Sequence, residues 1–280
     1  MSAAADAAPA QDDDAGWYLY GVAPAEEAPT DVEAPAVDAR NDVVSVTEGS
    51  LAGIASRVSM AEFDEAALPE SLGDAAWLEQ KIRAHERVLE AVLARTPVIP
   101  CRFCTVYRTE DDLRGFLAER GPVLANALER VAGRVELGVK AFVDRDRFAA
   151  GAAERDAAIA ELAERASQRE SSGRAYLESR RLEQLVREAL VRFKTEAGAA
   201  LHERLLAAAE DGFPLDLQRP ELSGRDEEMV FNGAYLVADR PRFEQALAAL
   251  ADGYRESGLE LELTGPWPPY NFVPEELRSS

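Results

Sequence analysis

The sequence predicts an α+β protein of two domains, and three observations carry that reading. Some short runs alternate with a period of two, as Leu259, Leu261 and Leu263 do against Glu260 and Glu262, the mark of a half-buried strand. Other, longer runs repeat at helical spacing, as Leu182, Val186, Ala189 and Phe193 do. The length, 280 residues, suits two domains, and Gly133 stands between two such series of elements.

Taken in order, residues 1–16 are Ala, Asp and Pro without periodicity and are expected to be disordered. The N-terminal α+β domain then covers 17–132. Trp17 to Ala23 is rich in aromatic and β-branched residues, as strands are. Val43 to Thr47 reads as a second strand, and Leu51 to Val58 returns beside it through the turn Glu48-Gly49-Ser50, unless that return is a short helix. Asp74 caps a helix to Arg95 whose buried face is Leu78, Ile82, His85, Leu89, Val92 and Leu93. Val98 to Tyr107 reads as one strand with Pro100 at its start. Thr109 and Asp112 open the last helix of this half, which has a weak point at Gly121-Pro122. The order is βββαβα.

The second domain, 133–280, begins with an alternating strand, Arg134 to Val143. Two helices, 146–170 and 174–209, form a long insertion; at 1.5 Å per residue the second would be roughly 50 Å long, so it must bend near Gly198 or project as an arm. Phe213 to Gln218 is a short strand between Pro214 and Pro220, and Glu228 to Val237, apolar on both faces, suits a central strand. A helix capped by Asp239 and the strand Leu259–Leu263 complete a βαββαβ order, the ferredoxin-like plan, with a Pro/aromatic tail at 265–273. In that plan the first and third strands are central. Prolines in one edge candidate and outward glutamates in the other guard the edges.

Composition excludes several function classes. Lys+Arg is 31 against Asp+Glu 52, a net charge of −21, which disfavours phosphate backbones and anionic membranes as main partners. No apolar run is long enough to span a bilayer, and no signal peptide is visible. Two Cys exclude a disulfide framework and fit a reducing cytosol. Those two form Cys101-Arg102-Phe103-Cys104, a C-x-x-C. Placed in a strand, its cysteines point to opposite faces and lack the helix N-terminus that stabilises a thiolate. His85-Glu86 begins like a zinc-protease helix, but Leu89 stands where the second histidine must be, so His85 reads as a satisfied histidine on a half-buried face. No phosphate-binding glycine loop and no metal-ligand set is present, so neither cofactor nor metal is expected. Asn232, polar inside the most apolar strand, is either a hydrogen-bonded core residue or one that orients the tail.

Seven stretches in this order resemble the gas-vesicle protein F/L family, GvpF and GvpL. They are the opening strand 17–22, Trp77-Leu78-Glu79 with His85-Glu86, the IPCRFCTVY segment 99–107, 135–140, 173–178, 232–237, and GPWPPYNF at 265–272. One departure is Cys104, where the family usually has glycine. The resemblance implies a non-enzymatic accessory protein of gas-vesicle assembly, cytoplasmic and vesicle-associated, which binds the hydrophobic shell protein GvpA and other accessory proteins. The alternatives are a scaffold for accessory proteins alone and a thiol-redox protein using the C-x-x-C. Tyr270, Phe272, Arg102 and Phe103 are the candidates for partner contact. Trp267, Asn232, Trp77 and His85 are expected to be structural, with Trp267 packed inside.

Overall fold

The computed structural model describes residues 15–167, 173–218, 225 and 227–278. The expectations for the N-terminal tail up to residue 14, for the end of the first inserted helix at 168–170, and for Pro220 lie outside the described residues. The chain forms two compact units, one of Met1–Gly133 together with Pro268–Ser280, the other of Arg134–Trp267. Each mixes helices with one sheet.

In the first unit, β1 (Ala15–Pro24) pairs antiparallel with β3 (Leu51–Ser59), and β3 with β2 (Val43–Glu48). On the other side of β1 lie β4 (Ile99–Pro100) and β5 (Val106–Tyr107). β1 therefore starts two residues before the expected Trp17, because Ala15 and Gly16 already pair with Ser59 and Val58. Tyr18 and Tyr20, two residues apart, share a core with Ile54 and with α3 (Ala75–Leu93). Asp74 caps α3 by accepting from Ala76 and Trp77 N–H. Between β3 and α3 lie α1 (Met60–Phe63) and α2 (Leu68–Gly73). The next helices, α4 (Glu110–Glu119) and α5 (Gly121–Val131), meet at Arg120 beside the Gly121-Pro122 weak point. Thr109 and Asp112 close a reciprocal capping box at the start of α4.

Two expectations for this unit need correction. The Val98–Tyr107 stretch is not one strand. Pro100 lacks an N–H and Cys104 adopts a left-handed φ of 65°, so two short bridges flank a loop. The buried face of α3 is also rotated from the expected one. Ile82 is 40% exposed, while Lys81 is 8% exposed, because its ammonium donates to Val37 O at 2.8 Å and sits 3.2 Å from the Glu62 carboxylate.

In the second unit the sheet runs β7 (Asp211–Pro214), β8 (Glu228–Val237), β6 (Val135–Val143), β9 (Leu259–Trp267), every neighbour antiparallel. The alternating β6 and the apolar β8 are the inner pair. The expected helix 146–170 is instead three pieces: α6 (Arg145–Ala150), α7 (Ala152–Arg155) and α8 (Ala157–Ser167). Gly151 and Asp156 leave helical geometry, and the Asp156 carboxylate caps the next turn through Ala158 N–H at 2.9 Å. After it α9 (Gly173–Leu206) runs 34 residues without a break at Gly198. Its second half buries Ala197, Leu201 and Leu205 against the sheet. In its first half Tyr176 and Leu177 are exposed, and α8 lies alongside. Helix α10 (Arg240–Tyr254) leads through Gly258, in the left-handed region at φ 73°, into β9. Any other residue at 258 would be crowded as well as strained: a Cβ there would lie 3.1 Å from Asp144 O.

The tail was expected to belong to the second domain. Strand β9 instead extends to Trp267, and the chain from Pro268 onward belongs to the first unit, through a short 3-10 turn at Tyr270–Phe272.

Candidate functional site

The densest constellation of polar and aromatic groups lies in the first unit, and it begins with the spacing of two in β1. Tyr18 and Tyr20 point to the α3 side, where Tyr18 O–H lies 2.8 Å from His85 Nδ1. His85 Nε2 lies 3.0 Å from Tyr270 Oη, and Tyr270 O–H donates to Glu86 Oε1 at 2.9 Å. Cys104 N–H donates to Tyr18 Oη at 3.1 Å. These four contacts fix one set of roles. Tyr18 accepts from Cys104 and donates to Nδ1, so His85 is neutral with its proton on Nε2, and Tyr270 accepts that proton's bond while donating to Glu86.

Burial sets the electrostatics. It pulls the His85 imidazole down to about 4, against a smaller opposing bond to the Cys101 backbone. Burial raises the Glu86 carboxyl, with the Tyr270 bond opposing. It also raises both ring hydroxyls of the relay, Tyr18 and Tyr270, the Glu86 carboxylate adding to the second. Tyr20 is pushed up to about 12 in the same way, although Ser56 Oγ at 2.8 Å and Val37 N–H at 2.9 Å bond to its hydroxyl.

Rings seal this chain of bonds. Tyr18 packs against Phe63 at 5.6 Å and Phe103 at 6.4 Å between centroids; His85 stacks on Tyr20 at 5.7 Å and meets Phe103 edge-on at 5.9 Å. Beside them Trp77 Nε1 donates to Glu62 Oε2 at 3.1 Å, and Lys81 Nζ lies 5.6 Å from the Phe63 and Trp77 rings. Burial would raise the Glu62 carboxyl, but the Trp77 and Lys81 bonds together hold it below its usual range.

Of the residues singled out in the sequence, Trp77, His85, Phe103 and Tyr270 meet here, and Arg102 is exposed on the loop next to Phe103. Phe272 is 2% exposed, with the Arg130 guanidinium 6.0 Å from its ring, whereas Trp267 is 42% exposed. The expected burial is therefore inverted. Trp267 ends a strand and satisfies its indole N–H on Thr264 Oγ1 at 3.2 Å, so it needs no pocket. Carried past the prolines, Tyr270 packs half-buried against the cluster of Tyr18 and Tyr20, and Phe272 is buried beside Arg130 of α5. Asn232 is a bonded core residue: its Nδ2 donates to Asp216 O at 2.9 Å. Sequence reasoning missed Tyr18 as a relay member; the period of two in Trp17-Tyr18-Leu19-Tyr20 was the available signal.

The Cys101 and Cys104 thiols are pushed by burial to about 12 and about 11, so both stay protonated at neutral pH and neither is a ready nucleophile. Among the described residues, no three His, Cys, Asp or Glu side chains are placed to hold a metal ion, and no helix is long and apolar enough to cross a membrane. The relay ties the C-terminal tail to α3 within the first unit.

The family model "Gas vesicle synthesis protein GvpL/GvpF" matches residues 16–274, and the chain belongs to that family. It is 37% identical over 225 residues to gas vesicle protein L of a Streptomyces species, covering 80% of each chain. It is 29% identical over 198 residues to gas vesicle protein L1 of Halobacterium salinarum, covering 68% of this chain and 69% of that one. Among solved structures, gas vesicle protein GvpF from an Anabaena species shares the fold with a TM-score of 0.67, at 20% identity, over 93% of this chain and 98% of that one.

Proposed function

We propose that this chain is a cytoplasmic, vesicle-associated accessory protein that binds the hydrophobic shell protein GvpA, keeps it from aggregating and supports gas vesicle nucleation and assembly. The observation that carries the reading is the stretch of α9 from Tyr176 to Val191. There Tyr176, Leu177 and Val191 are 61%, 66% and 60% exposed, and none of them belongs to the core cluster that Ala197, Leu201 and Leu205 of the same helix complete. Large apolar side chains on an amphipathic helix suit helix-in-groove recognition of an apolar partner. A shell subunit whose apolar face is uncovered before assembly is such a partner. Helices 146–209 then act as the recognition arm of a ferredoxin-like domain, a topology supported by the sheet order β7-β8-β6-β9.

The test is light scattering of purified GvpA with and without this protein. The wild type should suppress aggregation, and Leu177→Glu with Val191→Glu should lose that suppression while melting unchanged. Suppression that survives the double substitution removes α9 from the contact. A wild type that does not suppress at all leaves the scaffold for other accessory proteins.

A further inference from the structure

Most strand edges in this chain are guarded. Against β2 lies α4, and the Arg114 guanidinium donates to Thr47 O from outside the strand. Ser45 Oγ also donates to Pro29 O at 2.8 Å. β4 and β5 are two residues each, and β7 has four residues and ends at Pro214. β9 differs. It has nine residues, and among the described residues it has a sheet neighbour on one side alone, β6. Its proline, Pro266, lies at the far end, where the register with β6 shifts, so Leu259 to Thr264 is a regular edge.

The pairing shows which groups face outward. Asp144 N–H donates to Gly258 O at 3.0 Å, and the register runs on through Phe142 with Glu260 and Lys140 with Glu262. Bonded pairs alternate in an antiparallel ladder, so Glu260 and Glu262 turn their N–H and C=O toward β6. Leu261 and Leu263 turn theirs to the free edge. Their side chains lie on the core face and are only partly buried, at the rim of the apolar cluster. On the opposite face Glu260 is paired with Arg147 at 3.2 Å and Glu262 with Arg225 at 2.8 Å. In a chain of net charge −21 this edge is locally neutral.

We propose that the β9 edge takes an extended, uncharged segment of a partner chain as an added antiparallel or parallel strand, apolar at every second residue. The outward N–H and C=O groups of Leu261 and Leu263 supply the main-chain bonds. The alternate apolar side chains of the incoming strand would continue the leucine row and finish its burial. The matched acid–arginine pairs on the other face neither attract nor repel an uncharged strand. This surface is distinct from the α9 face, and its test does not involve GvpA.

The experiment is amide hydrogen exchange on the full chain, with a short synthetic peptide alternating valine and serine as probe and an all-serine peptide as control. In the free protein the Leu261 and Leu263 amides should exchange fast while those of Glu260 and Glu262 are protected. The valine peptide should slow the first two by about tenfold or more, and the control should not. Leu261→Pro removes an outward donor without breaking a bond to β6, so it should abolish the peptide's effect at Leu263 with the fold kept. Leu261 and Leu263 amides already protected without peptide, unmoved by it, or slowed equally by the control overturn the proposal. Protection that grows with protein concentration alone overturns it in favour of a second copy. If the proline variant does not fold, exchange in the unmodified chain decides.

Discussion

The two units build their cores from different materials. The second buries mostly aliphatic side chains, Leu137, Val139, Leu201 and Leu205 among them, between a sheet and a helix. The first buries Tyr18, Tyr20, His85 and Phe272, and its centre is a chain of hydrogen bonds from Cys104 N–H to the Glu86 carboxylate. An aliphatic core tolerates rearrangement as long as volume is kept. A buried polar chain does not, because each lost partner leaves a desolvated group. The first core should therefore be the more exacting in sequence, the more sensitive to acid, and the one that depends on the C-terminal tail.

The largest effect expected is at the tail itself. Phe272→Ala removes a side chain that is 2% exposed, and should cost about 3–5 kcal/mol in denaturant melts. Trp267→Ala, at 42% exposure, should cost far less. Equal losses would break the contrast between the two ends of the tail.

Acid comes next. The His85 imidazole is held at about 4 in the fold against its ordinary value of 6.5, so the unfolded chain takes up a proton first as pH falls. The resulting stability is complete above about 6.5 and drains away between there and about 4, a loss of about 3 kcal/mol for a fully buried group. The titratable groups facing the ring are Tyr18, Tyr20, Tyr270 and, one bond further, Glu86. The tyrosines do not titrate in this window. Glu86 is raised by burial, so its protonation favours the fold and offsets part of the loss. Melts at pH 7 and pH 4.5 should show a larger drop for wild type than for His85→Gln. Exchange resolved by residue should place the opening in the first unit, and equal acid sensitivity in both units would remove the distinction.

Tyr270→Phe keeps the ring and deletes the hydroxyl between His85 Nε2 and Glu86 Oε1. A buried imidazole and a half-buried carboxylate are left short of a bond, at a cost of about 1–3 kcal/mol. The acid response should shift as well, because Glu86 loses the donor that holds its carboxylate. A neutral substitution would mean that water replaces the hydroxyl.

The smallest effect has the opposite sign. Cys104 sits at φ 65°, where a Cβ is crowded. Cys104→Gly relieves that strain and keeps the N–H bonded to Tyr18, so it should raise stability by about 1 kcal/mol, less the larger entropy that glycine has when unfolded. A loss in thermal melts would show that the thiol's packing outweighs the backbone strain.

Much of the local structure was legible in the sequence because it is written in short-range periods. The alternation of β6, the caps at Asp74 and Thr109, and the strand starting with Leu259 rest on neighbours within a few residues, where backbone sterics and capping bonds dominate. The same reading failed where a distant partner decides. Lys81 is buried because Val37 O and Glu62 receive its ammonium, and no spacing along α3 announces that. The expected single strand at 98–107 and the single helix at 146–170 failed because isolated residues, Cys104, Gly151 and Asp156, leave regular geometry in a context that propensity does not see.

By itself, then, the sequence determined the mixture of helices and sheets and, through GPWPPYNF and the other matched stretches, the family. Only the tertiary structure decided what the tail does. Nearness along the chain placed Trp267, Tyr270 and Phe272 together, yet Trp267 finishes β9 in the second unit while Tyr270 and Phe272 complete the first. The physical reason is that a ring's burial depends on which cavity lacks a side chain. The first core has a histidine on α3 with an Nε2–H to satisfy, and the hydroxyl that satisfies it arrives 185 residues later.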